Sequence, residues 1–520
     1  MKKIYLAAFM LGMPTLLMAQ SAIDAYQLSQ SDLKGTARFV SMGGAFGALG
    51  GDLSTMNQNP AGIGVYRGSE IGVTFDFDIQ STKSNSLGYS LGEDQTKFYC
   101  PNLGYVGAMK IDSDVMPYFN WGISYGRTVS FDRIYRGGMP SISTSMSNYI
   151  ADFSNGYHPD ELGLTDTYNP YWDSNADWLS ILAYNSYMIN PIGNTTNYQG
   201  LYQNGTAGDA VFSVRERGYV DEYSINLGGN FANTVYWGLG LGLTDLEYVN
   251  QTFYDEELKN ARISTFDGSS TFDGDAYFSI DNYKHIAGMG CNFKAGLIIK
   301  PINEFRLGFA VHTPTYYSLR HDYDAVTYFS YSSGIEADDY TEVAIFDSEL
   351  YTPWRLMASA ATVLGGRAII SADYEYVACN DMKVKDDYGY TFVDVEDDIK
   401  NYFQAQNNFR VGAEFRVTPQ FSLRAGYNYQ ASNVKEEAKD GSEYIYTSGA
   451  DPSYTFDNKT QYITCGLGYR TGGFYIDAAY VYKNRESEFH AFSDFDGNEA
   501  PKAKITDNNN SIVMSIGYKF

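Results

Sequence analysis

The sequence predicts an all-β protein: a transmembrane antiparallel β-barrel of about fourteen strands with an N-terminal plug in its lumen. Stretches in which apolar and polar residues alternate recur from residue 71 to the C-terminus, as expected of strands with two unlike faces. Short turns and long polar loops alternate between these stretches, which is typical of outer-membrane barrels and not of soluble sandwiches. No apolar run beyond the N-terminus approaches the roughly 20 residues that a spanning helix needs.

Residues 1–19 have the pattern of a secretory signal peptide. A basic start and an apolar stretch lead to Ala19, the small residue of a cleavage site before Gln20. We therefore expect an exported protein in which residues 20–68 form an N-terminal segment and residues 69–520 form the barrel.

A glycine-rich stretch and a proline turn predict that the N-terminal segment is a compact plug. Five glycines fall between residues 43 and 51, and Asn59-Pro60-Ala61 follows them. Glycine tolerates close backbone approach, and Pro60 restricts Asn59 to an extended or turn conformation. Because a barrel of about fourteen strands is too wide to be filled by its own side chains, a plug is expected.

The glycine-rich stretch, an acidic turn and Asn-Pro-Ala-Gly, placed between an export signal and the first strand, resemble the FadL-type outer-membrane transporters of long-chain fatty acids and other hydrophobic compounds. The resemblance implies that this segment is a hatch in which Asn59, Pro60 and Ala61 take part in gating. It also implies ligand capture by external loops and sideways release through a kink in the third strand. That strand carries Gly122 and Gly126, which would permit an opening. The alternative is that both glycines only make room for the plug.

Fourteen strands are predicted, and long connections separate alternate pairs of them. The strands are expected at about 71–79, 103–111, 117–129, 218–231, 234–248, 287–299, 305–311, 352–364, 367–377, 404–417, 421–430, 460–470, 474–483 and 512–520. An insertion at about 130–216 departs from the family pattern and contains one predicted helix around Trp178 and Leu182. Polar loops are expected up to about Asp281, up to Leu350 and over residues 431–459.

Later segments extend the resemblance over the mature chain. Lys300-Pro301 and residues 305–309, 409–415 and 423–427 resemble a periplasmic turn and later strands of the family. Arg306, Arg410 and Arg424 face inward in this pattern and are candidate contacts for a ligand carboxylate, with pairing to inward acidic residues as the alternative. The terminal Phe520 resembles the signal by which the barrel-assembly machinery recognises its clients.

Several classes of chemistry are not indicated. The net charge of −25 makes nucleic acid an unsuitable partner. The glycine-rich run has neither G-x-G-x-x-G nor Gly-Lys-Ser/Thr, so it does not predict phosphate binding. The five histidines and four cysteines show no metal-ligand spacing, and one disulfide is neither indicated nor excluded. We therefore predict no catalytic residues, no metal, no cofactor and no enzymatic activity.

These observations favour passive, ligand-gated uptake of a hydrophobic molecule through the outer membrane, with a long-chain fatty acid as the leading ligand. We expect a monomer surrounded by outer-membrane lipid and lipopolysaccharide. Haem uptake is the first alternative, and it would be expected to depend on His312 or His321. A surface adhesin or scaffold that transports nothing is the second alternative.

Overall fold

The computed structural model describes residues 21–520 except 112, 114, 194, 265–269 and 333. The predicted signal peptide lies outside the described residues. The strands are β1 (Glu70–Ser86), β2 (Tyr89–Lys110), β3 (Tyr118–Ser130), β4 (Arg133–Met139), β5 (Asn190–Pro191), β6 (Tyr198–Gln199), β7 (Ala207–Phe231), β8 (Val235–Ser264), β9 (Thr271–Ile302), β10 (Phe305–His312), β11 (Tyr316–Tyr331), β12 (Glu336–Tyr340), β13 (Ala344–Tyr351), β14 (Arg355–Leu364), β15 (Ala368–Val377), β16 (Lys383–Asp386), β17 (Gln406–Arg416), β18 (Phe421–Ala431), β19 (Tyr454–Thr471), β20 (Phe474–His490) and β21 (Lys502–Lys519). The α-helices are α1 (Ala22–Leu28), α2 (Ala37–Ser41), α3 (Thr55–Gln58), α4 (Met146–Phe153), α5 (Pro159–Leu162), α6 (Pro170–Asp173), α7 (Trp178–Asn185), α8 (Val393–Tyr402) and α9 (Glu436–Lys439), and short 3-10 helices cover Pro60–Val65 and Cys379–Asp381.

The strands form one closed antiparallel barrel. Its wall is crossed fourteen times, because β3 with β4, β10 with β11, β12 with β13 and β14, and β15 with β16 each make one interrupted traverse. The first strand pairs with β2 on one side and with the last strand, β21, on the other, from Glu70↔Lys519 to Asn85↔Lys504. The predicted antiparallel barrel and its strand number are therefore confirmed.

The two faces of the wall differ as the alternation predicts. On β1, the outward side chains of Ile71, Phe77 and Ile79 are 47–48 % exposed, whereas the inward Thr74 and Asp76 are at most 1 % exposed. A closed sheet with an apolar outer belt satisfies its backbone internally and can face hydrocarbon, so this barrel spans an outer membrane. Within the described part of the chain, no helix is long and apolar enough to cross a bilayer.

Three segments that were predicted to be polar loops contain regular secondary structure, mainly because the wall strands continue beyond the membrane. The pairing of β8 with β9 runs out to Ser264↔Thr271, so the region before Asp281 is a long hairpin. Its inward side chains, including Tyr254 and Phe278, are buried, while its outward residues face water and are polar. Likewise, the acidic stretch up to Leu350 contains β11, β12 and β13, and residues 431–459 contain α9 and the start of β19.

The predicted insertion at 130–216 is shorter than expected and covers the outer end of the barrel. Its first residues continue the third strand as β4, and its last residues belong to β7. The predicted helix around Trp178 is α7. Residues of α4 and α7, such as Ile150 and Leu182, share one apolar core with Phe212 of β7 and Phe489 of β20. The insertion is thus packed onto strands from different parts of the barrel.

Candidate functional site

The N-terminal segment lies against the inward face of the barrel wall. Most of residues 21–66 are buried. The backbone nitrogen of Ala37 donates a 2.7 Å hydrogen bond to Ser515 Oγ on β21, and that of Gly47 donates a 3.0 Å bond to Asp373 Oδ2 on β15. The segment thus contacts the inward face of strands that lie far apart in the wall.

Glycines of the wall face the N-terminal segment where no side chain would fit. A Cβ atom on Gly238 would lie 2.1 Å from the Pro60 oxygen, and one on Gly426 would lie 2.2 Å from the Gly43 nitrogen. The same close approach occurs at Gly122, Gly228, Gly296, Gly308, Gly412 and Gly466. Sequence reasoning missed all of these except Gly122. These positions could have been predicted, because a glycine inside a strand often marks a place where another backbone approaches closely.

The predicted hatch residues form a turn that joins two parts of the N-terminal segment. Asn59 is 1 % exposed and caps the 3-10 helix that starts at Pro60, because its Oδ1 accepts a 3.1 Å hydrogen bond from the Ala61 nitrogen. Its Nδ2 donates a 2.6 Å bond to the Gly47 oxygen. The turn therefore binds to the glycine-rich stretch as well as following it.

A cavity of about 190 Å³ lies between residues 28–35 of the N-terminal segment and the wall. Its lining is more polar than the apolar tunnel expected of a fatty-acid channel. Lysine, arginine and glutamate side chains reach it from several strands, among them Lys294, Arg355 and Glu375. Sequence reasoning did not single out these three residues.

The wall is broken beside this cavity. β2 and β3 pair from Lys110↔Tyr118 to Asn102↔Gly126, and among the described residues no backbone pairing joins them beyond that point. Pro101 stands at the break, where it has no N–H to donate. The β1–β2 register also shifts there, between Thr74 and Asp76. Pro101, Asn102 and Gly126 all line the cavity, so the cavity reaches the break.

Beyond the break, side chains replace the backbone ladder. Lys97 Nζ on β2 lies 2.9 Å from Asp132 Oδ1, just after β3. Further out, Arg136 of β4 lies 2.5 Å from Glu93 of β2. Such solvated ion pairs are worth about 1 kcal/mol or less, far weaker than a continuous ladder. Among the described residues, β2 and β3 are thus joined here by side chains and not by a backbone ladder.

From the lumen side, the N-terminal segment holds both edges of the break. Lys34 Nζ bonds to the Tyr99 hydroxyl of β2 at 2.7 Å, and the Asp32 nitrogen bonds to the Thr128 oxygen of β3 at 3.2 Å. Burial alone would raise the pKa of Asp32, but Lys483 and Lys34 together hold that pKa below its usual range. Asp32 is thus kept as an anion in this position.

The three predicted arginines lie in different surroundings. Arg424 is paired with Glu414 at 2.7 Å and with Asp477 at 2.6 Å. Arg306 donates a 2.7 Å hydrogen bond to the Leu49 oxygen. Arg410 pairs with Glu375 and is the one of the three that lines the cavity.

The two histidines named for haem binding already have hydrogen-bond partners. His312 Nε2 lies 2.7 Å from the Gln58 oxygen, and His321 lies between Tyr323 and Ser348 at 3.1 and 2.8 Å. No cluster of three or more His, Cys, Asp or Glu suited to a metal occurs among the described residues. All four cysteines are free thiols.

Together these features define an outer-membrane β-barrel with an internally folded N-terminus and an incomplete wall. No protein-family model matches the sequence, and no curated protein is detectably similar to it. A solved FadL homologue from Pseudomonas aeruginosa matches with a TM-score of 0.52 and 14 % identity, covering 94 % of this chain and 99 % of that chain. The toluene transporter TodX of P. putida matches with a TM-score of 0.47 and 14 % identity, covering 94 % and 99 %. The chain has the FadL fold, and the resemblance predicted from the sequence is confirmed at the level of the fold.

Proposed function

We propose that this protein is an outer-membrane channel for passive, ligand-gated uptake of hydrophobic small molecules, with release sideways into the membrane. One observation carries the proposal: the lumenal cavity meets the break between β2 and β3 at Pro101 and Gly126. An apolar molecule that enters the cavity there has a short path to the lipid. The path does not require it to cross the periplasmic end of the barrel.

In this proposal, residues 20–68 act as the hatch. The contacts of Asp32 with β3 and of Lys34 with β2, at the two edges of the break, support this role. A ligand that displaces these contacts would leave the break bridged by side-chain contacts, among them the Lys97–Asp132 and Arg136–Glu93 pairs and the hydrogen bond from Ser84 Oγ to the Arg136 oxygen. The chain would thereby couple binding to opening without an energy source.

A long-chain fatty acid is the leading ligand, on the basis of the sequence resemblance. The cavity of about 190 Å³ is only slightly larger than the roughly 150 Å³ that accommodates benzene in an engineered core. A long acyl chain therefore needs more room than this conformation offers. We propose that the hatch moves to provide it, which agrees with gating by Asn59, Pro60 and Ala61.

The surroundings of the channel follow from the barrel. Outer-membrane lipid and lipopolysaccharide would contact its apolar belt, and we propose that it acts as a monomer. The terminal Phe520 is 63 % exposed beside the start of β1, where its nitrogen bonds to the Ser69 oxygen at 2.9 Å. It is accessible there to the barrel-assembly machinery.

A crosslink across the break tests the sideways route. Lys97→Cys and Asp132→Cys, introduced together into a chain whose four native cysteines are serine, bring two thiols within reach of a short bifunctional reagent. Uptake of oleate would be followed in a Gram-negative host without its own fatty-acid channel. We expect crosslinking to lower uptake at least fivefold and reductive release of the linker to restore it. Unchanged uptake by fully crosslinked protein would contradict sideways release, and the two single variants control for the reagent.

A further inference from the structure

The charges that line the cavity do not balance. Four of its cations have a carboxylate close by: Lys34 with Asp76 at 2.9 Å, Arg127 with Asp221 at 2.8 Å, Lys294 with Glu222, and Arg410 with Glu375. Arg355 also lines the cavity, but its nearest ion-pair partner is the same Glu375, at 3.8 Å. Asp32 also lines the cavity, and its carboxylate is paired with Lys483 at 3.0 Å. Arg355 and Arg410 therefore share the Glu375 carboxylate, and one positive charge among these groups is left over.

The position of Arg355 would allow its guanidinium group to bind an anion in the cavity. It stands at the first residue of β14, and its side chain is 25 % exposed. Its Nη2 donates a long hydrogen bond of 3.4 Å to the Ser29 oxygen in the N-terminal segment. A guanidinium offers five donors in a fixed fork that suits a carboxylate, so much of this capacity is unused.

Other polar atoms around the cavity also lack partners. Within the described part of the chain, these buried atoms have no hydrogen-bond partner and belong to residues that line the cavity: Arg410 Nη1, Ser29 Oγ, Gln58 Oε1, Asn292 Oδ1 and Asn428 Oδ1. Buried polar atoms are normally satisfied. Of these atoms, Arg410 Nη1 and Ser29 Oγ can donate to a bound anion, whereas the three amide oxygens are acceptors that suit water or another donor. Arg410 contacts one oxygen of the Glu375 carboxylate and Arg355 contacts the other, so the unpaired Arg410 Nη1 is a second donor near Arg355.

We propose that the cavity binds a small molecule with a single anionic group, held by Arg355 and Arg410, and with an apolar body about as large as a benzene ring. Aromatic carboxylates and short-chain fatty acids have this chemistry. The volume of about 190 Å³ sets the size, and the unmatched positive charge sets the head group. The inference rests on the proposed function, because the channel would deliver this ligand to the break.

Purified protein in detergent provides the test, with benzoate, toluene and palmitate as probes measured by equilibrium dialysis. Toluene matches benzoate in its ring but has no charge, and palmitate has the charge but a much larger body. We expect benzoate to bind at least tenfold more tightly than toluene, since hydrogen bonds to charged groups are worth about one factor of ten or more. Arg355→Met should lower benzoate affinity about tenfold and leave toluene unchanged.

Two further variants keep the result interpretable. Arg355→Lys keeps the charge and should retain benzoate binding within about threefold, while Glu375→Gln frees both guanidinium groups and should strengthen it. Arg320→Met, at an exposed position on the outer side of β11, is the matched control. If Arg355→Met does not fold, the increase in benzoate affinity expected for Glu375→Gln still tests the proposal.

The outcomes separate this inference from the proposed function. Equal affinity for toluene and benzoate would overturn the anion site. Benzoate affinity that is unchanged by both Arg355→Met and Glu375→Gln would also overturn it. If the anion site is overturned but the crosslink between residues 97 and 132 still blocks oleate uptake, the channel proposal stands. If the crosslink has no effect on any probe that the cell takes up, the sideways channel itself is wrong.

Discussion

The side-chain amide of Asn59 donates a 2.6 Å hydrogen bond to the backbone oxygen of Gly47, twelve residues earlier in the N-terminal segment. The backbone nitrogen of Gly47 in turn donates a 3.0 Å hydrogen bond to Asp373 on the barrel wall. Asn59 also lies close to Gly296 of β9, where a Cβ atom would be 1.9 Å from its Oδ1. The Asn59 turn is thus fixed both to the glycine-rich stretch and to the barrel.

Replacing Asn59 should loosen the hatch without preventing barrel assembly. Asn59→Ala removes the cap on the helix at Pro60, worth about 1 kcal/mol, and the bond to Gly47. Asn59→Asp keeps the acceptor for the Ala61 nitrogen but cannot donate to Gly47. We expect higher single-channel conductance or leak of small solutes in planar bilayers for both variants, with the larger effect for Asn59→Asp, because its buried carboxylate would face the Gly47 oxygen without a donor. Equal and wild-type conductance in both variants would show that the turn has no gating role.

Lys34 should control leakage at the break. Its Nζ lies 2.9 Å from Asp76 on β1 and 2.7 Å from the Tyr99 hydroxyl on β2. Lys34→Met removes both bonds and leaves the Asp76 carboxylate without this cation, so the edge of β2 loses its support from the lumen. We expect faster uptake of a hydrophobic dye by intact cells. Lys83→Met, at an exposed position on β1, is the control, and identical dye uptake by the two variants would contradict this role.

The barrel could be predicted from the sequence because strand pattern is local. Alternation of residues such as Ile71, Thr74 and Phe77 directly reports the two faces of a strand, and turn lengths report the topology. The strand ends could not be predicted in the same way. Outside the membrane the outward face of β8 and β9 contacts water, so the apolar signal disappears although the pairing continues to Ser264↔Thr271.

The site was less accessible to sequence reasoning, because its parts are far apart in the chain. The third strand was expected to carry the opening, and Gly126 does lie at the last pair before the break. The residue opposite the break, Pro101, was missed, although proline within a strand signals an interrupted ladder. The alternation does not reveal that Arg355 and Arg410 share Glu375, because this depends on the register of β15 with its two neighbours, β14 and β17.

Arg424 should matter for stability more than for ligand recognition. Its side chain is 1 % exposed and bonds to Glu414 and Asp477, whose side chains are 7 % and 1 % exposed. Removing one partner of a buried ion pair costs about 3–5 kcal/mol, because the remaining charges stay buried. We expect Arg424→Met to lower the temperature at which the folded gel band converts to the unfolded one, while the exposed Arg416→Met does not. A band that converts at the wild-type temperature would show that the pairs contribute little.

The external insertion should become less stable as the pH rises from about 4 to about 6. Asp177 precedes α7, outside the membrane, and burial raises its pKa to about 6 despite a hydrogen bond from Tyr157. An unfolded aspartate has a pKa of about 3.9, so the folded insertion binds the proton more tightly. The full stability is therefore present below about pH 4, is lost through this range, and stays lower above pH 6 by up to about 3 kcal/mol. Hydrogen exchange of residues 146–185, corrected for intrinsic rates, measures this directly. Asp177→Asn should remove the pH dependence, whereas Asp173→Asn, at an exposed carboxylate of α6, should preserve it; the same pH dependence in both variants would show that another group is responsible.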